Sequence, residues 1–488
     1  MKKSTSLIEQ VLLQLAFWIL GAVGYANLFW GELLGLNTLV FAIIAMGFAA
    51  GQFPSWWRVR RMQLLAVAVL LSAVFVVWHS TFVAKLAHLL SFLLFIGVLN
   101  ERPLRFVCFG ALLGVAKLLS APVALLKDWH RRLPAGTLSR TLSLSRLALL
   151  PLGLGAVFAS IYYYANPHFA SFLDRFWPGH WLRLEGGVLF RWLLGMFIVA
   201  ALGTSALWHQ EAEAVEARLP EQLQRGQAKW WKFSDSTMAL KNEYQNALIT
   251  LGLLNALLFV ANVADLRFVW VEYGKALPHE LSQYVHEGTY LLILSTLLAM
   301  GVLVWFFRGN LNFFPDNDKL RLLAHLWLAQ NVMLVLSVGL RNWQYVAQYG
   351  LAYKRLGVFA FLAMVLAGLG IIYQKVRHTK ALMYVVERNT WAVLLILLLA
   401  SSLDWTSLIT RYNIRQAEAG ELDTYFLFRE MPPHNYAILW EHRDLVQRGT
   451  DWDDDRLELA YDRKRERLNA KIEGRSWRSW AWAYAPYW

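Results

Sequence analysis

One cysteine, Cys108, stands in 488 residues. No disulfide can therefore close within a single copy, and no pair of thiolates can hold a zinc ion or run a dithiol redox cycle. A His-Glu-x-x-His zinc motif is missing as well. Charged side chains make up 17% of the chain, against about a quarter in ordinary soluble domains. These absences remove disulfide scaffolds and thiolate metal centres, and they leave too few charges to coat a soluble protein of this length.

What is abundant is apolar: 57% of the residues are hydrophobic and 15% aromatic, with 24 tryptophans, and they are gathered in blocks. Runs of about 17–25 apolar residues match the hydrocarbon thickness of a bilayer crossed by a helix. They lack the period-two alternation of a membrane barrel, and only helices or closed barrels satisfy their backbone in lipid. The expected fold is an all-α polytopic membrane protein of about eleven transmembrane helices, at 11–30, 33–51, 62–79, 82–99, 147–166, 188–208, 246–264, 289–307, 322–340, 356–374 and 391–409. Residues 1–409 form the transmembrane domain, and 410–488 form a small helical extramembrane tail. The first apolar run is longer than a signal-peptide core, so it is read as an uncleaved first helix.

A net charge of +13 would suggest nucleic acid in a soluble protein, but here it has to be divided across the membrane. With the N-terminus cytoplasmic, the inner segments carry 25 Lys and Arg and the short outer segments 7. This balance sets the lipid bilayer as the partner and excludes nucleic acid. It also decides the block 106–126, which is long enough to cross but carries Lys117. A crossing there would move the basic loops 209–245 and 375–390 outside, so 106–126 is expected to lie in the inner interface or to re-enter, and 209–245 to be a cytoplasmic helical connector with neither P-loop nor kinase motif. The tail is then periplasmic. A helix is expected around 453–472, started by the acidic turn Asp451–Asp455, and the closing run Trp477–Trp488 suits either the bilayer interface or the protein's own outer loops.

Titratable groups gather near the outer surface in the second half of the chain. A helix beginning at Pro278 puts His279, Gln283, His286 and Tyr290 on one stripe, with Glu280, Tyr284 and Glu287 on the next. Asp265 follows the seventh span, and Arg341, Tyr345, Tyr349 and Arg355 lie between the ninth and tenth. If the helix of 391–409 continues, it aligns Ser401, Asp404, Ser407 and Arg411, and Asp404 at that depth is costly unless hydrated or paired with a cation, Arg341 or Arg411, which makes it a functional candidate. The candidate site is therefore an outer-face polar cluster of Asp265, Glu280, His286, Glu287, Arg341, Tyr345, Tyr349, Arg355 and Asp404. No metal is assigned, because His279 and His286 are about 10 Å apart along a helix, and no cofactor is implied.

The succession Asp265, Tyr284-x-His286-Glu287-Gly288, Arg341-x3-Tyr345-x3-Tyr349-Gly350-Leu351-x3-Arg355, Asp404 and Tyr412-Asn413-Ile414 resembles a family of bacterial multi-pass membrane proteins that carries only a domain-of-unknown-function label. The resemblance covers roughly 246–425. Members often have Arg in place of His286, which argues against metal ligation there, and Thr in place of Ala352. The resemblance implies the bacterial inner membrane and supplies no activity. Three functions stay open: a signalling or assembly protein whose outer cluster and tail bind a periplasmic protein or envelope ligand; an enzyme acting on a lipid-linked substrate; or a transporter.

Overall fold

The computed structural model describes residues 18, 20–100, 103–132, 186–204, 209–225, 237–267, 278–416 and 422–487. The chain is an all-α polytopic membrane protein. Five helices are long and apolar enough to cross a bilayer: Arg60–His79, Leu240–Asp265, Asp318–Tyr349, Tyr353–Arg377 and Leu382–Ser401. Shorter apolar helices cover Leu20–Phe29, Leu36–Gln52, Phe82–Val98, Val107–Ala121, Leu194–Gly203 and Leu292–Phe306. The span expected at 147–166 lies outside the described residues. Among the described residues there is no strand, only an isolated antiparallel bridge between Gln222 and Lys380.

The helices assemble into two compact units, Met1–Val215 with Gly474–Trp488, and Glu216–Glu473. The tail expected at 410–488 is thus divided, its last residues belonging with the N-terminal helices.

In the first unit the 60–79 and 82–98 helices are joined by two residues. Ser80 takes a left-handed conformation with φ 51°, and Thr81 caps the next helix, its hydroxyl accepting from the Ala84 amide at 3.2 Å. The 82–98 helix meets the helix Gly110–Arg132 at backbone distance, because a Cβ on Gly97 would stand 1.9 Å from the Gly110 carbonyl oxygen, and one on Gly114 would stand 2.3 Å from that of Leu93. The small residues of Gly110-Ala-Leu-Leu-Gly114 are what lets the two backbones touch. Buried Lys117 then donates to the carbonyls of Ile96, at 3.3 Å, and Leu99. These are among the carbonyls that the ending helix leaves without amides, and a cation there also meets the negative end of its dipole.

In the second unit five helices, Thr237–Asp265, Pro278–Phe306, Asp318–Tyr349, Tyr353–Arg377 and Leu382–Ser401, share an apolar core that includes Leu251, Leu303, Phe307, Trp327, Val335 and Leu369. The 237–265 and 318–349 helices run parallel and are stitched by amides. Asn255 donates to the Leu323 carbonyl at 3.0 Å, Gln330 donates to the Asn255 side chain at 2.7 Å, and Asn262 donates to the Gln330 carbonyl at 3.1 Å. Between apolar helices in lipid such amide bonds supply the specificity that hydrophobicity cannot.

A second core lies at the Gly350 end of this bundle, where Val346, Leu351, Ile409, Ile414, Leu427, Phe428, Leu439, Val446, Leu457 and Tyr461 pack together. It is built by the helices Trp405–Gln416, Tyr436–Glu441, Arg443–Gly449 and Asp454–Ile472, which form a helical cap. The last of these starts where the acidic run predicted it: Asp453 accepts from the Arg456 amide at 2.9 Å, and Asp454 and Asp455 occupy the first turn.

The last expected span does not run through to 409. It stops at Ser401, and a new helix starts at Trp405. Asp404 is the residue that starts it: its carboxylate accepts from the Ser407 amide at 3.2 Å and the Ser407 hydroxyl at 2.5 Å, so two otherwise unpaired donors at the helix start are satisfied.

Candidate functional site

The C-terminal turns of the 318–349 helix carry Arg341, Asn342, Tyr345 and Tyr349, which the heptad-like spacing brings to adjoining faces. Arg341 does not reach for Asp404. Its guanidinium pairs with Asp265, at the end of the parallel 237–265 helix, and both side chains are almost withdrawn from solvent, 6% and 13% exposed. The physical reason is register: the parallel pairing that sets Asn262 beside Gln330 carries Asp265 up to Arg341, while Asp404 is held by Ser407 on its own chain segment.

One turn further on, the rings of Tyr345 and Tyr349 meet at a tilt with centroids 4.7 Å apart, and the Arg355 guanidinium lies 4.4 Å from the Tyr345 ring centre, a cation–π contact. Arg355 also donates to the Tyr349 carbonyl at 2.7 Å and to that of Gly350. Asn342 in turn donates to the Arg355 carbonyl at 3.0 Å. The arginine therefore closes the helix end and fixes the turn that leads into Tyr353–Arg377.

That turn is the seat of the cap. Gly350 has φ 79° and ψ −179°, a region essentially restricted to glycine. A Cβ there would stand 2.6 Å from the Asn413 side-chain oxygen. The close approach serves a reciprocal pair: the Leu351 amide donates to Asn413 Oδ1 at 2.6 Å, and Asn413 Nδ2 donates to the Leu351 carbonyl at 2.9 Å. The side chain of Asn413 thus reads the Leu351 peptide as a neighbouring strand would. Tyr353 and Thr406 add a hydroxyl bond at 2.6 Å, and Gln416 donates to the Ala347 carbonyl.

Inside the cap, Asn435 donates to the Thr410 hydroxyl at 3.1 Å and the Leu427 carbonyl at 3.3 Å. Fully buried Lys464 donates to the carbonyls of Leu427, Phe428 and Met431 at 2.6, 3.4 and 3.4 Å. Burial pushes its amine down to about 7, with the charge of Arg467 acting in the same direction. The unfolded chain holds a lysine proton up to about 10.4, so between roughly pH 7 and 10 it binds a proton that the folded cap does not, and stability rises with pH across that window. Lys464→Met should flatten this slope in thermal unfolding followed from pH 7 to 10. An unchanged slope would remove Lys464 as its source.

Of the candidate residues, the structure brings together Asp265 with Arg341, and Tyr345 with Tyr349 and Arg355; it sets Asp404 apart as a helix start. Pro278–Phe306 is one helix, as its spacing predicts, but the side chains of Glu280, His286 and Glu287 lie outside the described residues. Among the described residues no three His, Cys, Asp or Glu side chains converge as a metal site requires. Sequence reasoning passed over Lys464 and left Asn413 as one letter of a motif. A glycine directly after a long helix pattern is the signal that marks the Gly350 turn.

A family model, Domain of unknown function (DUF4153), matches residues 65–439. Comparison with the curated proteins and with the solved structures gave no match.

Proposed function

The chain belongs to the DUF4153 family, a domain of unknown function whose model spans most of its length, and we propose that it serves as a bacterial inner-membrane scaffold that presents its helical cap to a periplasmic protein or envelope ligand. One observation carries this reading: among the described residues, the polar side chains at the Gly350 end of the bundle are spent on closing that end and on holding the cap to it. Arg341 holds Asp265, Asn413 holds Leu351, and Arg355 holds the carbonyls of Tyr349 and Gly350. An acid–base pair working on a substrate would need such groups turned toward it. Here the described ones are turned toward one another and toward backbone.

The surface presented is the outer side of Asp454–Ile472, where Asp455, Glu458, Asp462, Arg463, Arg465 and Glu466 are exposed. Both signs are present along it, which suits a polar protein partner better than a single-sign ligand. The topology is supported from another direction. Residues 474–487 sit on the loop before Leu36, so an even number of crossings must separate them. Ten spans are expected between 33 and 409 if 106–126 does not cross, and eleven if it does.

The test uses a Cys108→Ser chain carrying Glu458→Cys or Asp462→Cys, treated in whole cells with a membrane-impermeant, thiol-directed photocrosslinker. The expected result is labelling followed by a dominant adduct of fixed mass. Adduct formation should fall when Asn413→Ala loosens the cap. Labelling only after the membrane is broken would put the cap in the cytoplasm, and labelling with no adduct at either position would end the scaffold reading.

A further inference from the structure

We propose that residues 27–36 of the first unit form a peptide-recognition site whose ligand is the chain's own segment 474–487, held by non-covalent contacts that a free copy of the same peptide can replace. This inference is independent of the scaffold reading, and it rests on how many donors the segment aims at one carboxylate. Glu32, its side chain 4% exposed, accepts from the Ser476 amide at 3.2 Å, the Ser476 hydroxyl at 2.6 Å, the Ser479 hydroxyl, and the Arg478 guanidinium at 2.8 Å. Burial by itself would hold the Glu32 carboxyl above its ordinary range, but the bonds from Ser476 and Ser479 and the Arg478 charge outweigh it and pull it below.

Backbone contacts set the register around this anchor. Leu36 donates its amide to the Trp480 carbonyl at 2.9 Å, and Leu33 donates to the Ser479 hydroxyl at 2.7 Å. Ser479 therefore gives and receives at once, which alanine cannot reproduce. Arg475 donates to the Gly31 carbonyl, and Arg478 to that of Asn27. Gly35 is required by the approach itself, since a Cβ there would stand 2.5 Å from the Trp480 carbonyl oxygen. The site thus reads Ser476-x-Arg478-Ser479 through hydroxyls and a guanidinium.

Tyr484 and Ala481 are buried, 5% and 1% exposed, whereas Trp477 and Trp482 remain 58% and 61% exposed, so the segment is seated by its polar core together with one buried ring, backbone bonds giving affinity and side chains giving selectivity. The segment is also set off from the helix before it: Asp454–Ile472 ends, and Gly474 turns with φ 69°. A stretch joined through a glycine turn and held by non-covalent contacts alone can come away as a unit.

The experiment inserts a specific protease site between Glu473 and Gly474 of the full chain in lipid nanodiscs, cuts it, and adds a fluorescent synthetic 474–487 peptide followed by anisotropy. Saturable uptake with displacement of the cut segment is expected. Peptides carrying Arg478→Ala, or Ser476→Ala with Ser479→Ala, should bind about tenfold more weakly or worse, because charge-assisted bonds to a buried carboxylate are lost. Glu32→Gln in the protein should weaken the native peptide similarly, while empty nanodiscs should take up all the peptides alike. A cut segment that never exchanges, or variant peptides that bind as tightly as the native one, would overturn the proposal; the peptide variants leave the protein's own folding untouched.

Discussion

Gly350→Ala should release the cap from the bundle, with a loss of about 2–6 kcal/mol in the stability of the cap. Two costs combine. The backbone at φ 79° and ψ −179° costs about 1–3 kcal/mol for any residue with a side chain. The new methyl group would also displace the Asn413 oxygen, 2.6 Å from its position, and each hydrogen bond of the reciprocal pair with Leu351 contributes about 0.5–1.5 kcal/mol. Limited trypsin digestion in detergent reads the result directly, since Arg443, Arg448, Arg456 and Arg463 become cleavable once the cap undocks. Asn413→Ala should cost less, because no strain is added. Gly350→Ala combined with Asn413→Ala should be less damaging than the two single losses imply, because the methyl group introduced at position 350 then has room. Equal digestion of Gly350→Ala and the native chain would show that the turn does not hold the cap.

The second large effect is expected at the pair that the structure assigns to Arg341. Asp265→Asn and Arg341→Gln should each cost about 3–5 kcal/mol, since each leaves its partner charged in a nearly closed site. Together they should cost clearly less than the sum. Asp404→Asn, by contrast, should change the melting temperature little, because asparagine caps a helix start as well as aspartate does. Thermal unfolding in detergent separates these cases. Additive losses for Asp265 and Arg341, or a large loss for Asp404→Asn, would return the ion pair to Asp404.

The membrane class, most helix positions and the acidic start of Asp454–Ile472 were legible in the sequence because the forces behind them are local. An apolar run of bilayer length, a proline in a first turn or an aspartate before a helix acts within a few residues. The interruption after Ser401 was not legible. Ser401-Ser-Leu-Asp404 sits inside an apolar window, and mean hydropathy records composition, not which amide finds which oxygen. Yet Asp404 with Ser407 three residues on is a capping pattern, and it was there to be read.

The partner of Arg341 was hidden for a different reason. Asp265 and Asp404 both end or follow an apolar run, and only the amide seam between two parallel helices decides which of them arrives beside the guanidinium. The glycines tell a similar story. Gly110-x-x-x-Gly114 is common by chance in apolar sequence, and what gives it a use is Gly97, on another helix, lying against it. Of the candidate cluster, then, the residue types and their end of the bundle were readable. What they hold was not, because some of their partners are backbone carbonyls and amides, which carry no letter in a sequence, and the side-chain partners are set by helix register.

The seat of 474–487 on the loop before Leu36 also has a bearing on how the molecule is made. Leu33 and Ser479 touch across 446 residues, and a ribosome adding about 5–20 residues per second needs roughly 20–90 s to make that stretch. During that interval Glu32 lacks the donors that Ser476, Arg478 and Ser479 bring to it in the folded chain. The first unit is therefore completed only by a piece that emerges 446 residues later. A chain interrupted anywhere before Gly474 carries a mark of its incompleteness at its beginning: a carboxylate beside Gly31 and Leu33 with no serine or arginine to receive it.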